Sequence, residues 1–297
     1  MNSRKFAIFA LIMVQVLYGL NFTIAKTVMN DNFIKPFGFV LLRVAGATVL
    51  FWIMSLFLPK QKIEKKDYLK LFVAAIFGVM INMLFFFKGL EYTSPIHASA
   101  ITITVPIIIL ILSAIILKEN VSKLKIVGVT LGLIGALVLT IYGKSGRAGD
   151  NVPLGNLLVF LNAISYSIYV IMIKKLTSKY HPFTFIKWLF LFGLIMLIPF
   201  GYNDLKAVEW HTFTPNAIWS VVFVVVGATF GTYLFNPLAL NKLKASTVGI
   251  FIYLQPVIAG LFAISIGADF IDPIKIGAML LIFLGVFLVS KKSKNAV

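Results

Sequence analysis

The sequence has no cysteine in 297 residues. Disulfides, thiolate metal sites and cysteine nucleophiles are therefore excluded. Acidic side chains are also scarce, with 10 Asp and Glu against 27 Lys and Arg. No pair of carboxylates falls within one apolar run, which leaves neither a hydrolytic pair at membrane depth nor a conventional buried proton relay. The three histidines, His97, His181 and His211, occupy separate loops or run ends without metal-ligand spacing, so no metal or cofactor is expected. The fragment Gly143-Lys144-Ser145 resembles the end of a phosphate-binding loop, but Val138 stands where that motif needs glycine. Catalytic motifs are absent and an enzyme is not expected.

What the chain has in abundance is apolar surface. Hydrophobic residues make up 60% and charged residues 12%, and the mean hydropathy is +0.98. A water-soluble fold of this length cannot bury so much, so the solvent must be lipid. Ten apolar runs stand out: Phe6–Lys26, Phe37–Leu58, Leu69–Leu90, Pro95–Leu117, Lys123–Tyr142, Pro153–Ile173, Phe183–Gly201, Ala217–Leu240, Ala245–Ile266 and Pro273–Ser290. Most approach the roughly 20 residues that a helix needs to span the hydrocarbon core. The pattern predicts an all-α integral membrane protein, with loops too short to fold alone. Residues 1–142 and 153–290 form two units joined by a linker at 143–152 and followed by a tail at 291–297.

The charge of +17 would suit a nucleic-acid partner if it were clustered on a soluble face. It is instead sorted by topology. With the N-terminus inside, the inner segments carry Arg4, Lys5, Lys60, Lys62, Lys65, Lys66, Lys118, Lys123, Lys174, Lys175, Lys179, Lys242, Lys244, Lys291 and Lys292 among others, whereas the outer ones hold only Lys35, Lys144, Arg147, Lys206 and Lys275. The positive-inside rule then places both termini in the cytoplasm, which requires an even number of spans. The cations meet anionic lipid headgroups, and no nucleic-acid partner is expected. The first run has Gln15 and Asn21 within it and no convincing cleavage site, so it is read as a retained helix rather than a signal peptide.

An ungapped shift of 150 residues lays Phe85 on Phe235, Leu90 on Leu240, Pro106 on Pro256, Lys125 on Lys275 and Gly135 on Gly285. Each half contains five runs, and five is odd, so the second half enters the membrane from the opposite side. Inverted repeats of helices place a substrate site at their pseudo-twofold axis near the midplane.

Polar stripes on the apolar helices indicate which faces meet there. At 100° per residue, Gln15, Tyr18, Phe22 and Lys26 share a face of helix 1, and Asn21 of the same helix is a further binding candidate. Asn162, Ser165, Tyr166 and Tyr169 share one of helix 6. Asn82 and Phe86 on helix 3 match Thr232, Tyr233 and Asn236 on helix 8, and Ser99 and Thr102 on helix 4 match Gly249 and Tyr253 on helix 9. Ser, Thr and Asn also join helices without binding anything, but matched aromatic and amide groups are what a central pocket needs. Helices 1, 3, 4, 6, 8 and 9 are expected around a cavity for a small-molecule substrate. Pro106 and Pro256 lie mid-span at equivalent positions, where each should kink its helix and provide a hinge. Gly128, Gly132 and Gly135 in helix 5 and Gly277 and Gly285 in helix 10 suit close packing of these two helices, within one chain or between the subunits of a homodimer. Three cations enter the spans. Lys26 and Lys88 lie near ends, where stems snorkel, with Glu91 close to Lys88; Arg43 lies deeper and could attract an anionic group.

The order Tyr18-Gly19-Leu20-Asn21-Phe22 with Lys26, Leu42-Arg43, Gly89-Leu90-Glu91-Tyr92-Thr93-Ser94 through Ala98-Ser99-Ala100, Pro106, Leu117-Lys118-Glu119, and Gly128 with Gly135 resembles the EamA-type transporters of the drug/metabolite transporter superfamily. Ala239-Leu240 through Ala245-Ser246, Pro256, Asp269 and Gly277 to Gly285 repeat the pattern. Tyr18 stands where the family often has Trp, and Asp269 where a second Glu is usual. The resemblance implies export or exchange of small metabolites, often amino acids, across a bacterial inner membrane. A membrane scaffold that keeps the fold without transport is the alternative.

Overall fold

A computed structural model of the chain describes residues 3–30, 33–58, 61–93, 98, 101–142, 151–265 and 272–290. Its helices follow the apolar runs: α1 is Ser3–Asn30, α2 Pro36–Leu56, α3 Lys65–Tyr92, α4 Val105–Ile116, α5 Lys123–Tyr142, α6 Val152–Thr177, α7 Pro182–Lys206, α8 Pro215–Lys242 and α10 Pro273–Ser290. Between α8 and α10, α9 is built of Ala245–Ile250, a 3-10 turn at Phe251–Tyr253, and Leu254–Ser265. Among the described residues nine helices are long and apolar enough to cross a bilayer, and α4 is the shorter tenth. The linker at 143–150 and the tail at 291–297 lie outside the described residues, as do Ser99, His97 and Asp269.

Local chemistry sets the helix starts. Proline occupies the first turn of α2, α6, α7 and α8, where its missing N–H costs nothing. Asn151 accepts from Leu154 N at 3.2 Å and Thr214 from Ala217 N at 3.2 Å, capping α6 and α8. Leu56, Leu69, Ile115, Ile141, Trp219, Leu280 and Phe287 stay exposed on the outer surface, as a bilayer solvent requires.

The helix pairings show the twofold. α3 packs on α6 as α8 packs on α1, and α4 packs on α6 as α9 packs on α1. α2 pairs with α7 and α5 with α10, each pair mapping onto itself when the halves are exchanged. This is the inverted five-plus-five arrangement. The α5/α10 seam is formed inside one chain. A Cβ on Gly128 would lie 2.7 Å from Gly285 O, and one on Gly285 would meet the Gly128 carbonyl oxygen, so only glycine lets the two backbones approach this closely.

The repeat extends to irregularities of the backbone. α3 has a π-helical stretch at Ile76–Ile81 and α8 one at Phe223–Gly231, positions that overlap after the shift of 150. α4 and α9 are also irregular at matching places, a turn at Ile103 and Thr104 and the 3-10 turn at Phe251–Tyr253. Each interruption lies just before its proline. The expected mid-helix kinks are thus broken helices, with Pro106 in the first turn of α4 and Pro256 in the first turn of the last segment of α9.

Candidate functional site

The broken and bulged helices surround a cavity of about 110 Å³. Its lining comes from α1 (Tyr18, Asn21), α2 (Arg43), α3 (Asn82, Met83, Phe86, Phe87), the α4 region (Thr102, Val105), α6 (Asn162, Tyr166), α8 (Tyr233) and α9 (Ile252, Gln255). Three pairs in this lining are related by the repeat: Met83 with Tyr233, Thr102 with Ile252, and Val105 with Gln255. The cavity therefore sits where the halves meet. Pro106 has no N–H to give the carbonyl of Thr102, and Pro256 none for that of Ile252, both residues that line the cavity.

The π stretches release backbone acceptors as well, and side chains from other helices take them. Ser165 Oγ donates to Phe77 O at 2.6 Å, Tyr233 OH to Gly78 O at 2.6 Å, and Asn162 Nδ2 to Asn82 O at 2.6 Å. In α8, Arg43 Nε donates to Thr229 Oγ1 at 2.8 Å and Arg43 Nη2 to Ala228 O at 3.2 Å. Thr229 Oγ1 in turn donates to Val224 O at 2.7 Å. A π-helical turn is tolerated at membrane depth only when its carbonyls find such partners.

The sequence-predicted residues divide into three groups. Tyr18, Asn21, Asn82, Phe86, Thr102, Asn162, Tyr166, Tyr233 and Arg43 line the cavity. Gln15 and Asn236 stand one layer behind it, Gln15 Oε1 accepting from Gln255 Nε2 at 2.8 Å and Asn236 Nδ2 donating to Tyr166 OH at 3.0 Å. Tyr169 and Tyr253 are not among the described residues that line the cavity and pack against facing helices instead. The ring of Tyr169 covers Gly78 and that of Tyr253 covers Gly132, and both hydroxyls are buried with no hydrogen-bond partner among the described residues. The reason is a glycine on the facing helix, which makes a flat seat for a ring. Ser99 lies outside the described residues. Lys88 points away, paired with Glu91 at 2.8 Å and stacked 4.6 Å from the centre of the Tyr92 ring.

Sequence reading missed Met83, Phe87, Val105, Ile252 and Gln255. Only Gln255 carried a signal, an amide next to Pro256 within an apolar run.

Beyond the cavity, at the lysine-rich end of the bundle, lies a second polar cluster, in which Glu119 and Lys125 of the first half meet the start of α9 in the second. Lys118 adopts a left-handed backbone (φ 53°) after α4, and Glu119 N bonds back to Ser113 O at 3.1 Å. That turn directs the Glu119 carboxylate at the start of α9, where Oε1 accepts from Ala245 N at 2.8 Å and Oε2 from Ser246 Oγ at 2.6 Å. Lys125 Nζ donates to Ser246 Oγ at 2.6 Å and lies 3.6 Å from Glu119. Lys174 Nζ holds the carbonyls of Leu240 and Leu243 at 2.6 and 2.9 Å, and Asn241 Nδ2 donates to Thr177 O at 2.7 Å. A carboxylate at a helix N-terminus combines charge-assisted hydrogen bonds with the helix dipole.

Known proteins share this plan. The model of the EamA-like transporter family matches residues 5–141 and 153–291. A protein of Archaeoglobus fulgidus named an uncharacterized transporter is 31% identical over 275 residues, covering 93% of this chain and 95% of its own. The transporter YyaM of Bacillus subtilis, also named uncharacterized, is 26% identical over 283 residues, 92% of this chain and 89% of its own. A solved crystal structure superposes with a TM-score of 0.77 at 16% identity over 96% of each chain, which shows the same fold. The chain belongs to the EamA-like transporter family and is a membrane transporter of that type.

Proposed function

We propose that the chain moves a small metabolite by alternating access, as an exporter or exchanger, with the cavity between the repeats as its substrate site. The observation that carries this reading is the lining by repeat-related pairs, Met83/Tyr233, Thr102/Ile252 and Val105/Gln255. A site on the twofold can be reached from either face when the two halves exchange conformations. In this reading the Glu119–Ser246 cluster is the closure on one face, cytoplasmic by the charge asymmetry, and the breaks before Pro106 and Pro256 are the hinges. The aromatic walls of Phe86, Phe87, Tyr166 and Tyr233 with the amides of Asn21, Asn82, Asn162 and Gln255 suit a compact solute that is part apolar and part polar. Among the described residues no carboxylate or histidine lines the cavity, which favours facilitated exchange over proton coupling inside it.

Counterflow of radiolabelled metabolites into proteoliposomes loaded with the same compound tests this. Uptake above that of protein-free vesicles is expected for at least one small metabolite, and it should fall when Tyr166 or Asn82 is replaced by Ala. Counterflow unaffected by both substitutions would remove the cavity from the transport route.

A further inference from the structure

Among the described residues Arg43 is the one charged residue in the cavity lining, and its side chain is almost fully buried. A buried guanidinium normally has a carboxylate partner, because an unpaired charge at membrane depth is costly. Here none of the described carboxylates pairs with it: Glu64 and Asp67 bind lysines near the start of α3, Glu91 binds Lys88, Glu119 binds Lys125, Asp272 binds Lys275, and Asp204 and Glu209 lie at the far end of α7 and in the loop after it. Two of its five N–H groups are given to Thr229 Oγ1 and Ala228 O, both uncharged, and its guanidinium carbon lies 5.4 Å from the centre of the Phe87 ring.

The other half of the molecule shows that the fold does not need a charge at this place. The shift of 150 lays Arg43 on Gly193 and Thr229 on Val79. Arg43 holds Thr229 in the π stretch of α8, and a Cβ on Gly193 of α7 would lie 2.5 Å from Val79 in the π stretch of α3, so these two contacts are equivalent. One repeat thus sets a glycine against an apolar side chain where the other sets a cation that reaches the cavity. A second polar group in the lining is also unmatched: Asn21 Oδ1 is buried with no hydrogen-bond partner among the described residues.

We propose that the cavity binds an anionic solute, a small carboxylate or equivalent monoanion, whose charge is neutralised by Arg43. This rests on the transport reading and adds the charge class of the cargo. Arg43 keeps its grip on the π turn of α8 through Nε and one Nη2 hydrogen, and turns its remaining N–H groups to the solute. Asn21 Oδ1 then has a role as acceptor for an N–H or O–H on the same molecule. Cations are repelled by a lining that offers them no opposite charge.

The lack of cysteine makes the test direct. A single cysteine at Thr102 is labelled with an anionic sulfonatoethyl methanethiosulfonate and, separately, with a cationic trimethylammonium methanethiosulfonate. With Arg43 present the anionic reagent is expected to react faster by about tenfold or more relative to the cationic one, in line with the local concentration effects of charged clefts. Arg43→Gln should abolish that preference, and Arg43→Lys should restore most of it. A merely structural arginine would leave the ratio unchanged in Arg43→Gln. Equal rates in the Arg43 background, or a ratio that survives Arg43→Gln, would overturn the proposal while leaving counterflow intact. Failure of both reagents to reach Thr102→Cys would count against the site itself, and the transport reading would fall with it.

Discussion

Glu119 accepts from the hydroxyl of Ser246 at 2.6 Å and from the amide of Ala245 at 2.8 Å, so a carboxylate from the first repeat caps a helix of the second. If this contact closes one face of the carrier, Glu119→Ala should open it. The loss of hydrogen bonds to a charged group, about 1.5–3 kcal/mol, corresponds to a shift of roughly tenfold or more in the balance between conformations. A cysteine at Ala245, read out by maleimide labelling from the lysine-rich face, should react correspondingly faster in Glu119→Ala. An unchanged rate would make the cluster a static tie.

Tyr253 and Tyr233 should behave differently although both are large, aromatic and buried. Tyr253→Ala leaves a void against Gly132 and is expected to cost about 3–5 kcal/mol of stability, as large-to-small core changes do. Tyr233→Phe keeps the packing and loses only the hydroxyl, with its bond to Gly78 O and the longer one to Asn82 Oδ1, so it should alter transport more than thermal unfolding. Unfolding of the purified proteins in detergent, set beside counterflow, separates the two. A stable Tyr253→Ala protein with weakened substrate binding would return that residue to the cavity.

Much of this was legible in the residues, and the exceptions have physical causes. The spans followed from long apolar runs, and the repeat from prolines, glycines and lysines recurring at 150. Helical periodicity gave the faces that carry Tyr18, Asn82, Asn162 and Tyr166. It could not tell Tyr253 from them, because a period assigns a face but not the neighbour, and the neighbour here is Gly132. The π stretches of α3 and α8 were not visible since they differ from α-helix by one bond register and carry no characteristic composition. Gln255 has no polar repeat partner to mark it, since the shift of 150 lays it on the apolar Val105.

Glycines in α10 offer a contrast within one helix. A Cβ on Gly285 would lie 2.5 Å from the Gly128 oxygen and 2.8 Å from Gly132 N, whereas one on Gly277 would meet nothing within 4 Å. Gly285→Ala should force the α5/α10 backbones apart at a cost of about 1–3 kcal/mol. Gly277→Ala should be neutral or slightly stabilising. Thermal unfolding in detergent checks both, and equal effects would contradict the seam.

An ion cluster at the lysine-rich face gives a pH dependence. Lys179 lies 2.6 Å from Glu64 and 2.5 Å from Asp67. Hydrogen bonds from Lys179 and then Lys66 hold the exposed Glu64 carboxyl below its ordinary range, and those to Asp67 and Glu64 raise the Lys179 ammonium. A carboxyl lowered on folding stabilises the protein above its unfolded value and loses that contribution as pH falls through the folded one. The raised ammonium contributes below its unfolded value and loses it as pH rises through the folded one. Unfolding temperature should therefore drop in acid below the usual glutamate range and again in strong alkali, and Lys179→Met should flatten both limbs. Identical profiles for the two proteins would show that solvent screens the cluster.

The central claim is that both faces of the membrane reach one cavity in turn, and a single cysteine at Gln255 tests it most directly. Sealed right-side-out and inside-out vesicles are exposed to a membrane-impermeant maleimide, and labelling is measured in each. Alternating access predicts that Gln255→Cys reacts in both preparations, with Glu119→Ala raising the rate on one face and lowering it on the other. Labelling confined to one face, unchanged by Glu119→Ala, would contradict it.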